Sequence, residues 1–225
     1  MRPEAIVLAV LACAALWFWQ SRTQRRFSLE RAAVFDECAT LFEGQRVLSS
    51  GGDYPALTGR YRGARFELQP MLDHVGYRKV PSLWLSVTLR EAQAVGGVFD
   101  LLVRPENIEF YSASAQLDER IDMPDGWPVH HLAKVSPAGW RPPLGALREA
   151  AGALVDEPVF KEMTVSPRGV RLMVRLGGVQ RAHYMVLRSL LPESTRVPAD
   201  FLQPVLDAAL RMSAALSASA KENIQ

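Results

Sequence analysis

The chain has 225 residues, 48% of them hydrophobic, and 26 basic against 24 acidic side chains leave a net charge of +2. The apolar share excludes a disordered chain and supports a real core, while the near-balance of charge excludes a broad field that would advertise nucleic acid or an acidic substrate. With Cys13 inside an apolar run and only Cys38 beyond it, no intrachain disulfide can brace the folded part.

The chain opens on Ala5 to Trp19, an apolar run without charge, proline or glycine. As a helix this run reaches roughly 22 Å, against a hydrocarbon core of roughly 30 Å, and Pro3, Gln20 and Ser21 can carry its ends into the headgroups. The expectation is a single transmembrane helix with the lipid bilayer as its partner. Val10-Leu11-Ala12-Cys13 resembles a lipoprotein cleavage box, but six apolar residues follow the cysteine where a mature lipoprotein would turn polar, so Cys13 is read as a small lipid-facing residue; two other readings compete. A secretory signal peptide would start at Arg2, but Trp17, Phe18, Trp19 and Gln20 stand where signal peptidase needs small residues, and Trp favours the membrane interface. A buried core helix fits the short length but not the arginines that follow. Arg22, Arg25, Arg26 and Arg31 outweigh Arg2 and Glu4 across the run, which by the positive-inside tendency leaves the C-terminal bulk cytoplasmic at a bacterial inner membrane, the periplasmic orientation being the alternative. The bacterial source is read from the Arg-, Ala- and Leu-rich, Lys-poor composition of a G+C-rich genome.

Ser28 to Glu43 has helical apolar spacing at Ala32, Phe35, Cys38, Leu41 and Phe42, with Ser28 placed as its cap and Gly44 as its end, a stalk below the anchor. Ser49 to Pro55 is loop chemistry, and it lacks the Lys-Ser/Thr a phosphate loop needs. The period then changes to two. Leu57 to Tyr61, a turn at Arg62-Gly63, and Ala64 to Leu68 read as a hairpin; Leu83 to Leu89, Phe99 to Val103 and Ile108 to Tyr111 follow as strands, joined too closely for crossover helices and therefore antiparallel. Met123 to Pro128 and Ser136 to Pro143 are turn-rich connections. Leu144 to Leu154 reads as a helix ending before Pro158. Met163 to Val165 and Val170 to Leu176 flank the turn Ser166-Pro167-Arg168-Gly169, with Val170, Leu172, Val174 and Leu176 on one face and Arg171, Met173 and Arg175 on the other. Arg181 to Leu187 offers a further strand. A closing helix from Asp200 to Ser217 puts Leu202, Leu206, Ala209, Ser213 and Leu216 inward and Asp207 and Arg211 outward. The shared pattern at Arg62 to Leu68 and Arg168 to Val174 is one echo, read as two independent hairpin turns.

The expected fold class is α+β: a transmembrane helix and basic flank over 1–27, then antiparallel sheets with packed helices, either as one body or as lobes over 28–155 and 156–225. No G-x-S-x-G, H-E-x-x-H, G-x-G-x-x-G or C-x-x-C occurs, so no catalytic, cofactor-binding or metal-ligating residue is assigned. His130-His131 points to opposite faces of an extended segment without a Cys or acidic partner at ligand spacing; His74 and His183 are single; Asp118, Glu119, Asp122 and Asp125 miss the spacing of a calcium loop. An anchored, well-patterned domain without a reactive constellation points to a non-catalytic accessory module with a protein partner, no cofactor and no nucleic acid. The alternative is an enzyme or small-ligand binder with its site between the lobes, around loops 49–55 and 123–143.

Overall fold

The computed structural model describes residues 3–49, 54–72, 82–105, 109, 111–178 and 196–222. Helix α1 runs from Pro3 to Ala32. Among the described residues no helix is long and apolar enough to cross a membrane, which overturns the expected transmembrane helix and the single-pass membrane class drawn from it. The physical reason lies in the proportions of α1. Its apolar run supplies about 22 Å where roughly 30 Å is required, and the same helix continues without a break through Arg22, Arg25 and Glu30. Ser28 is therefore no cap: it sits inside α1 and its hydroxyl donates to the Arg25 carbonyl at 2.9 Å. Two 3₁₀ turns, Ala33–Phe35 and Ala39–Leu41, bury Val34, Phe35 and Cys38, after which the chain turns extended. The stalk helix expected up to Glu43 thus ends early, because Phe42 is needed on the sheet.

Among the described residues nine strands follow: β1 (Glu43–Leu48), β2 (Ala56–Tyr61), β3 (Ala64–Leu72), β4 (Ser82–Leu89), β5 (Val98–Val103), β6 (Glu119–Arg120), β7 (His131–Ser136), β8 (Phe160–Ser166) and β9 (Gly169–Gly178). Between β7 and β8 stands α2 (Leu144–Ala151), and α3 (Ala199–Glu222) closes the described chain. The β2–β3 hairpin turns on Arg62 and Gly63, both at positive φ (49° and 83°), the conformation a two-residue connection between twisted strands demands. Gly169 has to lack a side chain, since a Cβ there would lie 2.0 Å from the Leu89 carbonyl oxygen.

All nine strands form one sheet in the order β1-β2-β3-β4-β9-β8-β5-β7-β6, with antiparallel pairing throughout. This corrects the two lobes and the plural sheets of the sequence reading. The hairpin β8–β9, from the presumed second lobe, is inserted between β4 and β5, with Leu89 opposite Val170 and Leu101 opposite Met163. Alternation tells which face a residue occupies, not which strand lies next to it. Sequence neighbours that pair locally hide such an insertion.

One face is apolar and covered. Leu57, Phe66, Leu68, Leu83, Leu85, Val87, Phe99, Leu101, Met163, Leu172 and Val174 pack beneath α2 and α3, whose Leu147, Leu202, Val205, Leu206, Ala209, Met212 and Leu216 are buried with them. Truncating one such leucine costs about 2–5 kcal/mol, a large share of a domain's stability. The outer side of α3 is less bare than its period predicts. Asp207 accepts from the Tyr61 hydroxyl at 2.8 Å and pairs with Arg62 at 3.1 Å, and Arg211 Nε donates to the Ala150 carbonyl at 3.0 Å.

Candidate functional site

Among the described residues no α-helix covers the other face of the sheet, and the sequence puts polar residues at many of its positions. Register places Arg46 beside Thr58, Thr58 beside Glu67, Glu67 beside Thr88, Thr88 beside Arg171, Arg171 beside Thr164 and Thr164 beside Asp100. Side chains that face each other across antiparallel strands share a face, so these residues form one continuous polar band. It has two halves.

Over β4, β9, β8 and β5 the band is roofed by the strap from Arg104 to Leu117, of which 106–108 and 110 lie outside the described residues. Asp100 and Glu162 beneath it are fully buried. Arg171 bridges sheet and roof: it pairs with Glu162 Oε2 at 2.8 Å, reaches Thr164 Oγ1 at 3.1 Å, and donates to the Tyr111 carbonyl at 3.2 Å. The Thr164 hydroxyl donates to Asp100 at 2.8 Å, the Ser112 hydroxyl approaches its other oxygen at 3.4 Å, and Tyr111 lies against Trp84 at 5.6 Å between ring centroids. The foot of the strap is clamped as well. Lys161, at a bulge in β8, donates to the Arg104 carbonyl at 2.6 Å and pairs with Glu109 at 3.2 Å out of water, while Arg104, at a positive φ of 49°, donates to the Phe160 carbonyl.

Two carboxyls share one guanidinium here, so they cannot both ionise cheaply. Burial pushes Glu162 up to about 8, with the Asp100 charge adding to the rise. Asp100 is raised too, burial outweighing the Thr164 hydroxyl and Arg171. At neutral pH the proton therefore rests on Glu162, where burial and the neighbouring Asp100 charge both favour the neutral form. Glu162 Oε1 has no hydrogen-bond partner among the described residues.

Over β1, β2 and β3 the band is open. Arg46, Arg60, Arg65 and Arg90 line a groove of about 350 Å³ together with Thr58 and Glu67. Glu67 pairs with Arg90 at 2.8 Å, and Arg60 donates to the Gly63 carbonyl at 3.3 Å. Among the described residues, Arg46 and Arg65 make no ion pair or side-chain hydrogen bond. A bulge between Glu43 and Arg46, with Gly44 at φ 59°, shifts the register by one so that Arg46 rather than Gln45 comes opposite Thr58.

The residues singled out from the sequence lie elsewhere. His131 is half-buried on β7 with Nδ1 2.6 Å from the Pro128 carbonyl, and His130, exposed, lines a separate cavity with Arg104, Arg120 and Val129. Glu119 is held near 2 by Arg141 and the Gly139 N–H, and Asp118 accepts from Ser136 at 2.5 Å. His74 and His183, the strand expected at Arg181 to Leu187, and Ile108 and Phe110 of the strand expected at Ile108 to Tyr111 lie outside the described residues; of the other two, Glu109 is in no strand and Tyr111 is in a turn. Among the described residues no group of His, Cys, Asp and Glu could hold a metal ion. Residues 50–53 of the loop 49–55 lie outside the described residues; the strands that flank it, β1 and β2, stand at one edge of the sheet, and β7, within 123–143, stands next to the other edge. The signals that sequence reasoning passed over are an acid inside the apolar run Val98 to Val103 and the cluster of arginines at Arg60, Arg62 and Arg65, each ordinary by itself. No family model, curated protein or solved structure matches this chain.

Proposed function

We propose that this chain is a non-catalytic binding module that holds an acidic protein partner against the open half of its sheet. The observation that carries the reading is the pair Arg46 and Arg65, two guanidiniums without a partner among the described residues, beside Arg60 and Arg90 in an open groove. Arginine is suited to this work, because its planar fork meets carboxylates two bonds at a time and is weakly hydrated. Asp100 and Glu162, the strongly shifted acids, support the non-catalytic half of the reading. A general acid has to reach its substrate, and both are sealed beneath the strap.

The test is a photo-crosslinking phenylalanine analogue in place of Thr58, introduced into the full chain in cells. A discrete cross-linked protein species is expected, and it should vanish when Arg46→Glu and Arg65→Glu are combined with it. Cross-links indifferent to the charge reversal, or no species at all, would overturn the reading.

A further inference from the structure

We propose that the open groove is a phosphoryl-binding site, in which Arg46, Arg60 and Arg65 take the oxygens of one phosphoryl group. The inference rests on the reading above that the open half is the working surface, and it names the chemistry recognised there.

Three guanidinium stems rise from adjacent strands at one level. Arg60 is directly opposite Arg65 in the β2–β3 register, and the Arg90 amide donates to the Arg65 carbonyl at 2.8 Å, which aligns the third. Arg46 joins from β1, one residue pair along, where the bulge has set it. Like charges facing each other across strands repel, so an arrangement of this kind destabilises the empty protein. Glu67 relieves Arg90, with Nε at 2.9 Å and the second nitrogen at 2.8 Å, and Glu43 stands opposite Arg60. Four guanidiniums against two carboxylates leave two positive charges for the ligand. A phosphoryl group brings about −1.5 to −2 charge and three acceptor oxygens. A carboxylate brings half that charge and two oxygens in one plane, which a single fork satisfies, leaving the other arginines opposed. Charge and oxygen count both select the phosphoryl group.

The experiment is calorimetric titration of the full chain with inorganic pyrophosphate, and in parallel with succinate, at one fixed ionic strength. Pyrophosphate should bind at least about tenfold more tightly than succinate, and Arg46→Ala and Arg65→Ala should each weaken it by about tenfold, the loss of one charge-assisted fork. Arg175→Ala, exposed on the same face but outside the groove, should leave the affinity unchanged. Circular dichroism melts confirm that the variants stay folded. Phosphoserine peptides then distinguish the sources: tighter binding than pyrophosphate places the phosphoryl group on a protein, weaker binding on a small free phosphate, and either agrees with the site. Equal affinity for succinate and pyrophosphate, or pyrophosphate binding that ignores Arg46 and Arg65, overturns it. Absence of pyrophosphate binding with the Thr58 cross-link intact overturns the phosphoryl site alone; absence of both removes the binding module as well.

Discussion

The two halves of the polar sheet face handle charge in opposite ways. Under the strap, two acids are taken out of water beside a half-buried arginine, and each charge is matched by a neighbour or cancelled by a proton. Over β1 to β3, arginines face arginines in water, and of the four groove arginines only Arg90 has an acid in contact among the described residues. The first arrangement is what a fold needs to fasten a long connection. The second contributes nothing to fastening and leaves chemistry available to something outside. Satisfied polarity marks structure, and unsatisfied polarity at the surface marks a candidate for recognition.

The largest expected effect breaks the roofed half. Arg171→Met removes the cation that Glu162 and Asp100 share and the donor to the Tyr111 carbonyl, leaving buried acids without compensation, a loss of about 3–5 kcal/mol. Chemical denaturation should show a midpoint far below that of the parent, with hydrogen exchange fastest at residues 111–117. A shift under about 1 kcal/mol would mean that the strap does not depend on the pair.

The second effect is a pH dependence with a definite sign. Glu162 is raised in the folded protein above its unfolded value, so the stability it contributes is fully present below the ordinary carboxyl range and is lost as pH rises through about 8. Between pH 5 and 9 the loss should reach about 2 kcal/mol or more, read as a falling Tm. Glu162→Gln keeps a neutral donor next to Asp100 and should flatten that slope. A parent protein that melts higher at pH 9 than at pH 6 would show that Glu162 is ionised when folded, and the proton assignment would be withdrawn.

Periodicity made the apolar face readable. Leu57 to Leu68, Leu83 to Leu89, Val170 to Leu176 and Leu202 to Leu216 were all assignable from spacing, because burial on one side imposes a period of two or 3.6 on the sequence. The polar face was not readable in the same way. Whether Asp100 and Arg171 meet depends on β8 and β9 lying between β4 and β5, a long-range pairing that no local pattern encodes. Arg60 and Arg65 could be named as hairpin residues, yet Arg46 enters the groove only through a one-residue bulge. In α1, length misled in the other direction: an apolar stretch was visible, and its shortfall against the bilayer was visible too, but the charged residues were read as a flank rather than as the same helix.

The smallest expected effect sharpens the comparison, since it should have the opposite sign. Arg65→Ala takes a cation from between Arg60 and Arg90, and relief of the like-charge opposition is worth about 0.2–1 kcal/mol in favour of the folded state. Some of that gain is offset, because the aliphatic stem of Arg65 covers part of the strand surface and alanine does not. The balance should therefore be a slight stabilisation at low salt that shrinks as ionic strength screens the parent's repulsion. Arg60→Ala should behave alike, and the double variant should gain less than the two singles together, since one repulsion cannot be relieved twice. Denaturation midpoints at two salt concentrations measure all three. Destabilisation by more than about 1 kcal/mol at low salt would mean that Arg65 is held by a partner as Arg171 is, and the open half would then belong to the architecture rather than to recognition.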